Sequence, residues 1–245
     1  MPPTIPRVLC IIPAHPNEHS EQVVQCIKNQ TIPIQHIEVL TELINERLSF
    51  PARISKVINN YLVTVDLTQY DILFRADTDT RFTPNFLEEN LKKGYDALGY
   101  GYAQIIKMPI FIKVFNGRMN PDHDDGYILV KLHFTGYKAN CDDYAVKPIL
   151  LRKSGFHHGS SWFAAQGELN YMYGDDPINV LFNTLYSFNQ YTIFQICGYF
   201  KALLTRKKRF DIALPVIQRH MLKFRHPMRF FRLGIYIRKK LKEQK

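Results

Sequence analysis

Two aspartates separated by one residue, Asp77 and Asp79, are the most informative polar residues of the chain. They follow an apolar run that ends at Ala76, and two carboxylates at the end of a strand can point the same way once the chain turns. Carboxylate oxygens are the ligands that a hard divalent cation prefers, and Mg²⁺ or Mn²⁺ held there could neutralise a diphosphate leaving group. Taken alone, so short a motif is more often a pair of solvated or helix-capping loop aspartates.

Polar residues also follow two earlier strand-like runs. Pro13 to Glu18 come after the apolar residues 8–12, and Thr41-Glu42 come after residues 37–40. In open α/β sheets, ligands bind beyond the carboxyl ends of the strands. All three polar groups are therefore candidates for ligand binding. The chain contains no P-loop, and no glycine-rich dinucleotide motif follows a strand.

Strand and helix patterns alternate over the first hundred residues. Apolar runs at residues 8–12, 37–40 and 71–76 predict strands, and helical spacing predicts helices over residues 20–29 and 54–62. A third helix is predicted to open at Thr83-Pro84 and to close at Gly94. The alternation predicts an α/β fold with a mostly parallel sheet between helices. Residues 97–103, 105–114 and 127–134 are predicted to be mixed or antiparallel strands that complete the sheet.

The order and spacing of four segments give a resemblance to a known family. They are V-L-C-I-I-P-A-H at residues 8–15, C-I-K-N-Q-T-I-P at 26–33, I-E-V-L at 37–40, and D-I-L-F-R-A-D-T-D at 71–79 with F-T-P at 82–84. Over the first hundred residues, and thinly to Pro177, the chain resembles the family 2 glycosyltransferases. The resemblance implies a GT-A fold, a Rossmann-like mixed sheet flanked by helices. It also implies a nucleoside-diphosphate sugar as donor and Mg²⁺ or Mn²⁺ as cofactor.

The resemblance further assigns roles to residues at the strand ends. Asp79 would ligate the metal, and Asp77 would contact the ribose or assist the metal. Arg53 lies where family members often keep a polar contact to the diphosphate. The base and ribose would be lined by four residues: Pro13, Ala14, His15 and Glu18.

One segment departs from the family pattern. The family ends its second strand in an acidic, glycine-containing turn that contacts the base, whereas this chain has Thr41-Glu42-Leu43. Glu42 is the acid available for that contact, and the departure leaves the identity of the base open.

Inverting members of the family need a carboxylate that deprotonates the acceptor hydroxyl. Asp175-Asp176 lies after Gly174 and before an apolar helix, a place comparable to the family's acidic motif, and we predict Asp176 as the base. Either aspartate could instead cap the helix that begins near Pro177, and the two roles are compatible. Asp142-Asp143 is a weaker alternative for the base.

Two residues of the following segment are candidates for the acceptor site. Trp162, the only tryptophan, could stack on a sugar face, and Glu168 could contact the acceptor. A packed loop around Trp162 explains the same residues without a ligand.

Charge is distributed unevenly along the chain. From Gly198 onward there are fifteen Lys or Arg residues and two acidic residues, whereas residues 1–197 carry seventeen basic and twenty acidic residues. Bulky apolar residues alternate with the basic ones after Leu222, a composition typical of segments that bind an anionic membrane surface. A helix packed on the domain with a solvated basic face is nearly as good an interpretation, and a nucleic acid is not the expected partner.

Residues 178–200 carry no charge, but amides and other polar residues interrupt them. A helix that lies on the domain or on the membrane surface is favoured over a transmembrane span. We therefore predict a catalytic domain at residues 1–177 and a helical, basic, membrane-associating extension at residues 178–245. The scattered cysteines and the absence of an apolar leader predict a cytoplasmic protein, peripheral on the cytoplasmic face of the membrane.

The predicted function is inverting transfer of a sugar from a nucleoside-diphosphate sugar to a hydroxyl or phosphate acceptor that is lipid-linked or close to the membrane. A membrane-associated protein that binds nucleotide sugars without turnover is the first alternative, supported by the altered turn at Thr41-Glu42-Leu43. A sugar nucleotidyltransferase is the second, but the glycine-rich basic loop with which such enzymes open is absent from this sequence.

Overall fold

The alternating patterns form a mixed sheet with helices on both faces. In the computed structural model, which describes residues 5–41, 50–121, 125–151, 160–186 and 192–224, the chain divides into two units, Met1–Ser154 and Gly155–Lys245. The predicted boundary at residue 177 falls inside the second unit. The reason is that the helix before this boundary packs on a helix after it, as described below.

The central sheet of the first unit has the strand order β2-β1-β3-β6-β5-β7. The strands are β1 Val8–Ala14, β2 His36–Thr41, β3 Ile72–Ala76, β4 Thr80–Arg81, β5 Ala97–Leu98, β6 Ala103–Lys107, β7 Ala139–Asn140 and β8 Ile149–Leu150. β1 pairs in parallel with β2 and β3, and β6 runs antiparallel to β3 and β5. β4 and β8 form a separate two-stranded antiparallel ribbon. The predicted mixed α/β sheet is therefore confirmed.

Side chains of β1 contribute to two apolar cores, one on each face of the sheet. Val8, Cys10 and Ile12 contribute to one core, and Leu9 and Ile11 to the other. This follows from the alternation of side chains along a strand, and it explains why β1 is a continuous apolar run. Each of these aliphatic side chains, when fully buried, stabilises the fold by roughly 1.5–3 kcal/mol.

Five helices of the first unit cover these cores. They are α1 Glu21–Lys28, α2 Phe50–Leu62, α3 Phe86–Lys92, α4 Met108–Phe115 and α5 Gly126–Phe134, with a short 3₁₀ helix at Leu67–Gln69. α1 and α3 pack on one face of the sheet, whereas α2, α4 and α5 pack on the other. α3 begins two residues after the predicted proline position, and Gly94 follows its end with a positive φ of 67°.

Two predicted strands are helical. Residues 105–114 form only the end of β6 before the chain turns into α4 at Met108, and residues 127–134 form α5. α5 is buried over much of its circumference, including Tyr127, Ile128, Leu129 and Leu132. A short apolar run that is buried on several sides shows neither helical nor strand periodicity, so its pattern predicts burial but not conformation.

The second unit is helical. It contains α6 Ser160–Met172, α7 Pro177–Tyr186, α8 Thr192–Leu204 and α9 Ala213–Phe224. α6 and α8 approach so closely that a Cβ on Gly198 would lie 1.9 Å from the carbonyl oxygen of Ala164, and one on Gly167 would lie 1.9 Å from that of Gln195. Within the described ranges, no helix has the length and apolar character needed to cross a bilayer. Residues 225–245, the C-terminal part of the predicted membrane-associating extension, lie outside the described part of the chain.

Candidate functional site

The carboxyl ends of β1 and β3 lie side by side. These strands are parallel neighbours with Cys10 opposite Phe74 and Ile11 opposite Arg75, so the residues after Ala14 and after Ala76 emerge at one edge of the sheet. Two of the three polar groups predicted to bind ligand are thereby brought together. Glu42, in the third group, lies outside the described residues.

The Glu18 carboxylate joins the two loops at this edge. Its Oε2 atom accepts a hydrogen bond of 3.1 Å from the backbone N–H of His15 and one of 2.8 Å from the hydroxyl of Thr78. The backbone N–H of Glu18 donates to the carbonyl oxygen of His15 at 2.9 Å, which closes the turn. This arrangement, called the Glu18 bridge below, holds the middle residue of the D-x-D segment against the loop after β1.

The residues around the Glu18 bridge differ in what they can offer a ligand. Pro13 and Ala14 belong to β1 and are buried, so their side chains do not face solvent. His15 is half-buried, and its Nδ1 atom lies 3.3 Å from the backbone N–H of Asn17, from which it accepts a hydrogen bond. The imidazole is therefore oriented by the turn that the Glu18 bridge closes.

Asp77 and Asp79 are both half-buried, whereas Thr78 between them is buried. The backbone N–H of Thr80 donates to the carbonyl oxygen of Asp77 at 3.2 Å, and the carbonyl oxygen of Asp79 accepts from Leu151 at 2.9 Å. The turn and the β4–β8 ribbon thus fix the backbone on both sides of the motif. Both carboxylates remain partly accessible because the residue that faces the domain is Thr78.

The two carboxylates suit a metal that a substrate helps to bind. Among the described residues no group of three or more His, Cys, Asp or Glu side chains could by itself hold a metal ion. Mg²⁺ is usually bound by one or two carboxylates together with substrate phosphates, rather than by an all-protein cage. Asp77 and Asp79 fit that pattern, and Asp77 also faces a buried cation.

That cation is Arg75, a residue that sequence reasoning missed. Its side chain is only 3% exposed, and one guanidinium nitrogen lies 3.7 Å from Oδ1 of Asp77. The guanidinium packs against Gly101, where a Cβ would lie 2.5 Å from Cζ of Arg75. The N–H of Gly101 in turn donates to the Asp125 carboxylate at 2.9 Å. A charged residue inside an apolar strand, two positions before Asp77, was the available signal.

Tyr100 and Tyr102 also lie beside the motif and were not predicted as site residues. The carbonyl oxygen of Tyr102 accepts from the N–H of Asp77 at 3.3 Å, and the two tyrosine rings lie 6.5 Å apart. The Tyr100 ring is 40% exposed, and burial of its hydroxyl, followed by interactions with Cys141, raises its pKa to about 12. The site edge therefore carries neutral aromatic side chains as well as carboxylates.

The remaining predicted donor and acceptor residues are placed as follows. Arg53 is half-buried on α2. Trp162 belongs to α6, and its side chain lies outside the described set. Glu168, also on α6, forms ion pairs with Lys207 at 2.7 Å and Lys201 at 3.5 Å. Burial raises the pKa of Glu168, but the hydrogen bond and charge of Lys207, with Lys201, lower it overall.

Asp175 and Asp176 have different surroundings within the second unit. Oδ1 of Asp176 accepts from the backbone N–H groups of Ile178 at 2.8 Å and Asn179 at 3.3 Å, so the predicted capping role of Asp176 on α7 is present. Asp175 is more deeply placed, and burial, followed by the charge of Asp176, raises its pKa to about 6. Asp175 therefore has a pKa not far below neutrality.

Asp143, part of the weaker alternative for the base, forms hydrogen bonds with other surface residues. Asp143 accepts a hydrogen bond of 2.7 Å from Lys93 and another from the Tyr95 hydroxyl. These bonds lower the pKa of Asp143, Lys93 contributing first. A carboxylate held in its charged form by a lysine is a weak proton acceptor, which is unfavourable for a general base.

Of the comparisons with known proteins, only the comparison with solved structures found matches. No protein-family model matches the sequence, and no curated protein does. A mannosyltransferase, PcManGT from Pyrobaculum calidifontis in complex with GDP-Man and Mn²⁺, matches with a TM-score of 0.52 at 14% identity, over 99% of this chain and 89% of that chain. The chain shares a glycosyltransferase fold. At this identity the likeness shows the fold alone.

A second solved structure, A197 from STIV, matches at 15% identity with a TM-score of 0.39, over 62% of this chain and all of that one. A likeness of that size supports no further argument. The glycosyltransferase fold agrees with the sheet and the helices on both of its faces, and thus with the fold class expected from the strand and helix patterns.

Proposed function

We propose that this protein transfers a sugar from a nucleoside-diphosphate sugar to an acceptor hydroxyl or phosphate. The observation that carries the proposal is the Glu18 bridge, which fixes the D-x-D segment beside the loop after β1 at the carboxyl edge of the sheet. That edge is where open α/β sheets bind ligands. The shared fold with a mannosyltransferase solved with GDP-Man makes GDP-mannose the first donor to test.

In this proposal Asp79 ligates Mg²⁺ or Mn²⁺, and Asp77 assists or contacts the ribose. A bound divalent cation would supply charge that stabilises the leaving diphosphate. The protein's own contribution is positional. Arg75 restrains Asp77 through their ion pair, and Thr78 anchors the segment through Glu18. His15 and the backbone of Pro13 and Ala14 are left to line the nucleotide, together with Glu42 and Arg53.

We further propose that the transfer inverts the anomeric centre and that Asp175-Asp176 supplies the general base. A base works best with a pKa near the operating pH, and the raised pKa of Asp175 meets that requirement. Asp176 was the base predicted from the sequence, and its cap fixes its carboxylate in one orientation. A pH–rate profile of each variant distinguishes Asp175 from Asp176. Only replacement of the general base should abolish the fall in activity that its protonation causes at low pH.

The acceptor is proposed to be lipid-linked or close to a membrane, with the protein peripheral on the cytoplasmic face. Support comes from the charge distribution, in which the basic residues concentrate after Gly198. Anionic headgroups attract such a segment electrostatically. Trp162 and Glu168 stay candidates for the acceptor site, although the two lysines that pair with Glu168 would have to be displaced.

Metal-dependent nucleotide binding tests the proposal directly. GDP, UDP and GDP-mannose are titrated into the protein by calorimetry with Mn²⁺ or with EDTA. We expect binding with Mn²⁺ and at least about tenfold weaker binding with EDTA, since a diphosphate beside two carboxylates is repelled without the cation. Affinities unchanged by EDTA would show that no metal bridges the nucleotide and the protein.

The Asp79→Asn variant tests the ligand assignment. We expect retained thermal stability and loss of sugar transfer and of Mn²⁺-dependent binding, because a ligand charge is removed outside the cores. Glu89→Gln is the matched control, since Glu89 is a carboxylate on α3 that pairs with Lys92. Transfer by Asp79→Asn at the wild-type rate contradicts the assignment. Wild-type binding of nucleotide sugar without any transfer, across a panel of acceptors, supports the non-catalytic alternative.

A further inference from the structure

The outward side of α8 is apolar. Ile193, Phe194, Phe200 and Leu204 are 57%, 40%, 36% and 81% exposed, and Cys197 is exposed between them. At about 100° per residue, these positions and Lys201 fall within an arc of about 120° on the helix. We call these five apolar residues the α8 stripe.

The opposite side of α8 is buried and packs on α6. Gly198, Tyr199 and Ala202 are buried, and Gly198 lies against the backbone of Ala164 on α6. Among the described residues of the second unit, the packing of α8 uses this opposite side, and the α8 stripe is exposed. Exposed apolar residues that occur singly are ordinary, whereas a continuous row along one helix marks an interaction surface.

Positive charge borders the α8 stripe. Lys201 lies within the exposed arc; its side chain is 73% exposed and pairs with Glu168 at 3.5 Å, and Lys207 pairs with the same carboxylate at 2.7 Å. α8 then ends in a Schellman turn, in which Arg206 has a positive φ of 51° and the N–H of Lys207 donates to the carbonyl oxygen of Ala202 at 2.9 Å. This turn brings the exposed residues Arg206, Lys207 and Lys208 directly to the end of the helix.

We propose that the α8 stripe binds the headgroup region of an anionic bilayer, with α8 lying in the plane of the surface. Apolar side chains on one side with cations beside them are what such an interface recognises: the side chains insert, and Lys or Arg pair with phosphate. A second copy of the chain would bury an apolar row equally well but would bring the same positive charges together. The charge around the α8 stripe therefore favours lipid. This surface is independent of the proposed sugar transfer.

Vesicle binding of the full-length protein tests the proposal. The wild type is sedimented with vesicles of phosphatidylglycerol and phosphatidylcholine, and with phosphatidylcholine alone, at low and high salt. We expect binding to the anionic vesicles that high salt weakens only in part, since insertion of apolar side chains is not screened. The Ile193→Ser/Leu204→Ser double variant should bind at least about tenfold more weakly, because two exposed aliphatic side chains are lost.

A matched control separates the α8 stripe from apolar exposure in general. Ile193→Ser alone is compared with Val63→Ser, because Ile193 is 57% and Val63 59% exposed. We expect weaker vesicle binding only from Ile193→Ser. A fluorophore on Cys197 should shift its emission to the blue with anionic vesicles, whereas one on Val63→Cys in a Cys197→Ser background should not. Unchanged melting temperatures show that the variants are folded.

Two outcomes overturn the proposal. One is equal vesicle binding by the wild type and the double variant. The other is self-association of the wild type without vesicles, abolished by the double variant, which would show that the stripe binds a second copy. Nucleotide binding is measured on the same proteins, so a failure of the proposed sugar transfer shows independently as loss of Mn²⁺-dependent GDP binding.

Discussion

At the scale of single residues, the site depends on side chains that fix other side chains. Glu18 restrains Thr78, and Arg75 restrains Asp77. The contact with Glu18 is made by Thr78 rather than by either aspartate, and the contact with Arg75 is made to Oδ1 of Asp77. The geometry of the motif is thus prepared before any ligand arrives, which lowers the entropic cost of binding.

Replacing Glu18 tests this preparation. In Glu18→Gln the amide oxygen accepts only as a neutral group, so the bonds from His15 and Thr78 weaken. We expect a loss of about 1–3 kcal/mol in the free energy of unfolding and nucleotide binding weaker by about tenfold. Chemical denaturation and calorimetry measure both. Glu21→Gln on α1 is the control, since the Glu21 side chain is 79% exposed, and equal effects from both variants would show that the Glu18 bridge has no special role.

Asp175 makes the stability of the protein depend on pH. Its pKa of about 6 in the folded protein is above the ordinary 3.8, so the folded state holds the proton more tightly than the unfolded state. The ionised carboxylate therefore destabilises the fold above about pH 6, and this penalty disappears as the pH falls towards 4. The difference corresponds to at most roughly 3 kcal/mol.

We accordingly expect Asp175→Asn to be more stable than the wild type at pH 8 and no more stable at pH 4. The rise in melting temperature at pH 8 should be about 5 °C. Thermal melts of both proteins between pH 4 and pH 8 measure it. A constant difference across that range would mean that the carboxyl group does not titrate there.

At the scale of elements, close backbone contact joins α6 to α8. Gly167 and Gly198 allow each helix to approach a carbonyl oxygen of the other, where a side chain would collide with the backbone. This explains why the second unit begins at Gly155 rather than after residue 177. A glycine in the middle of a helix weakens it by about 1 kcal/mol relative to alanine, and here the close packing of the two helices offsets that cost.

Gly198→Ala should therefore destabilise the second unit in spite of the better helix propensity of alanine. A Cβ 1.9 Å from a carbonyl oxygen forces the helices apart, and overpacking of this kind costs about 1–3 kcal/mol. Thermal unfolding followed by circular dichroism measures the loss. Cys197→Ala, at the neighbouring exposed position, is the control and should change little. A stabilised Gly198→Ala protein would contradict the contact.

At the scale of the whole molecule, the sequence separates a slightly acidic body from a basic end. Eight of the fifteen basic residues after Gly198 lie in residues 225–245. These residues come after α9 and carry none of the proposed site residues. Their charge can therefore act on membrane binding without a role in nucleotide binding.

Deleting residues 225–245 separates the contribution of this segment to membrane binding from that of the α8 stripe. Each Lys or Arg near an anionic surface contributes about 1 kcal/mol, so we expect much weaker vesicle binding at low salt and a smaller dependence on salt. The part that remains should be the salt-insensitive part due to the α8 stripe. Nucleotide binding should be unchanged. Precipitation or unfolding of the truncated protein would instead indicate a structural role for the segment.

The apolar pattern of the sequence was sufficient to predict the parallel strands β1, β2 and β3, and the position of the D-x-D motif after β3. β1 and β3 are buried along their whole length, β2 is a largely exposed strand at the end of the sheet order, and polar residues follow each of the three carboxyl ends. Such runs are strong signals because burial on both faces requires uninterrupted apolar residues. The helices between them were equally visible, since one-sided burial produces a 3.6-residue period.

Tertiary structure decided what local pattern could not. α5 was predicted to be a strand because an apolar segment buried on several sides has no distinguishing period. α4, in which only Met108 and Phe111 are buried, was included in a predicted strand because its short apolar segment directly follows β6. The Glu18 bridge joins residues 60 positions apart, and the contact of Arg75 with Gly101 depends on the pairing of β3 with β6. Sequence determined the buried strands β1 and β3 and the carboxylates of the D-x-D motif, but not the roles of Arg75, Tyr100 and Tyr102. The fold alone decided which of them meet, because contacts between distant segments leave no periodicity in either segment.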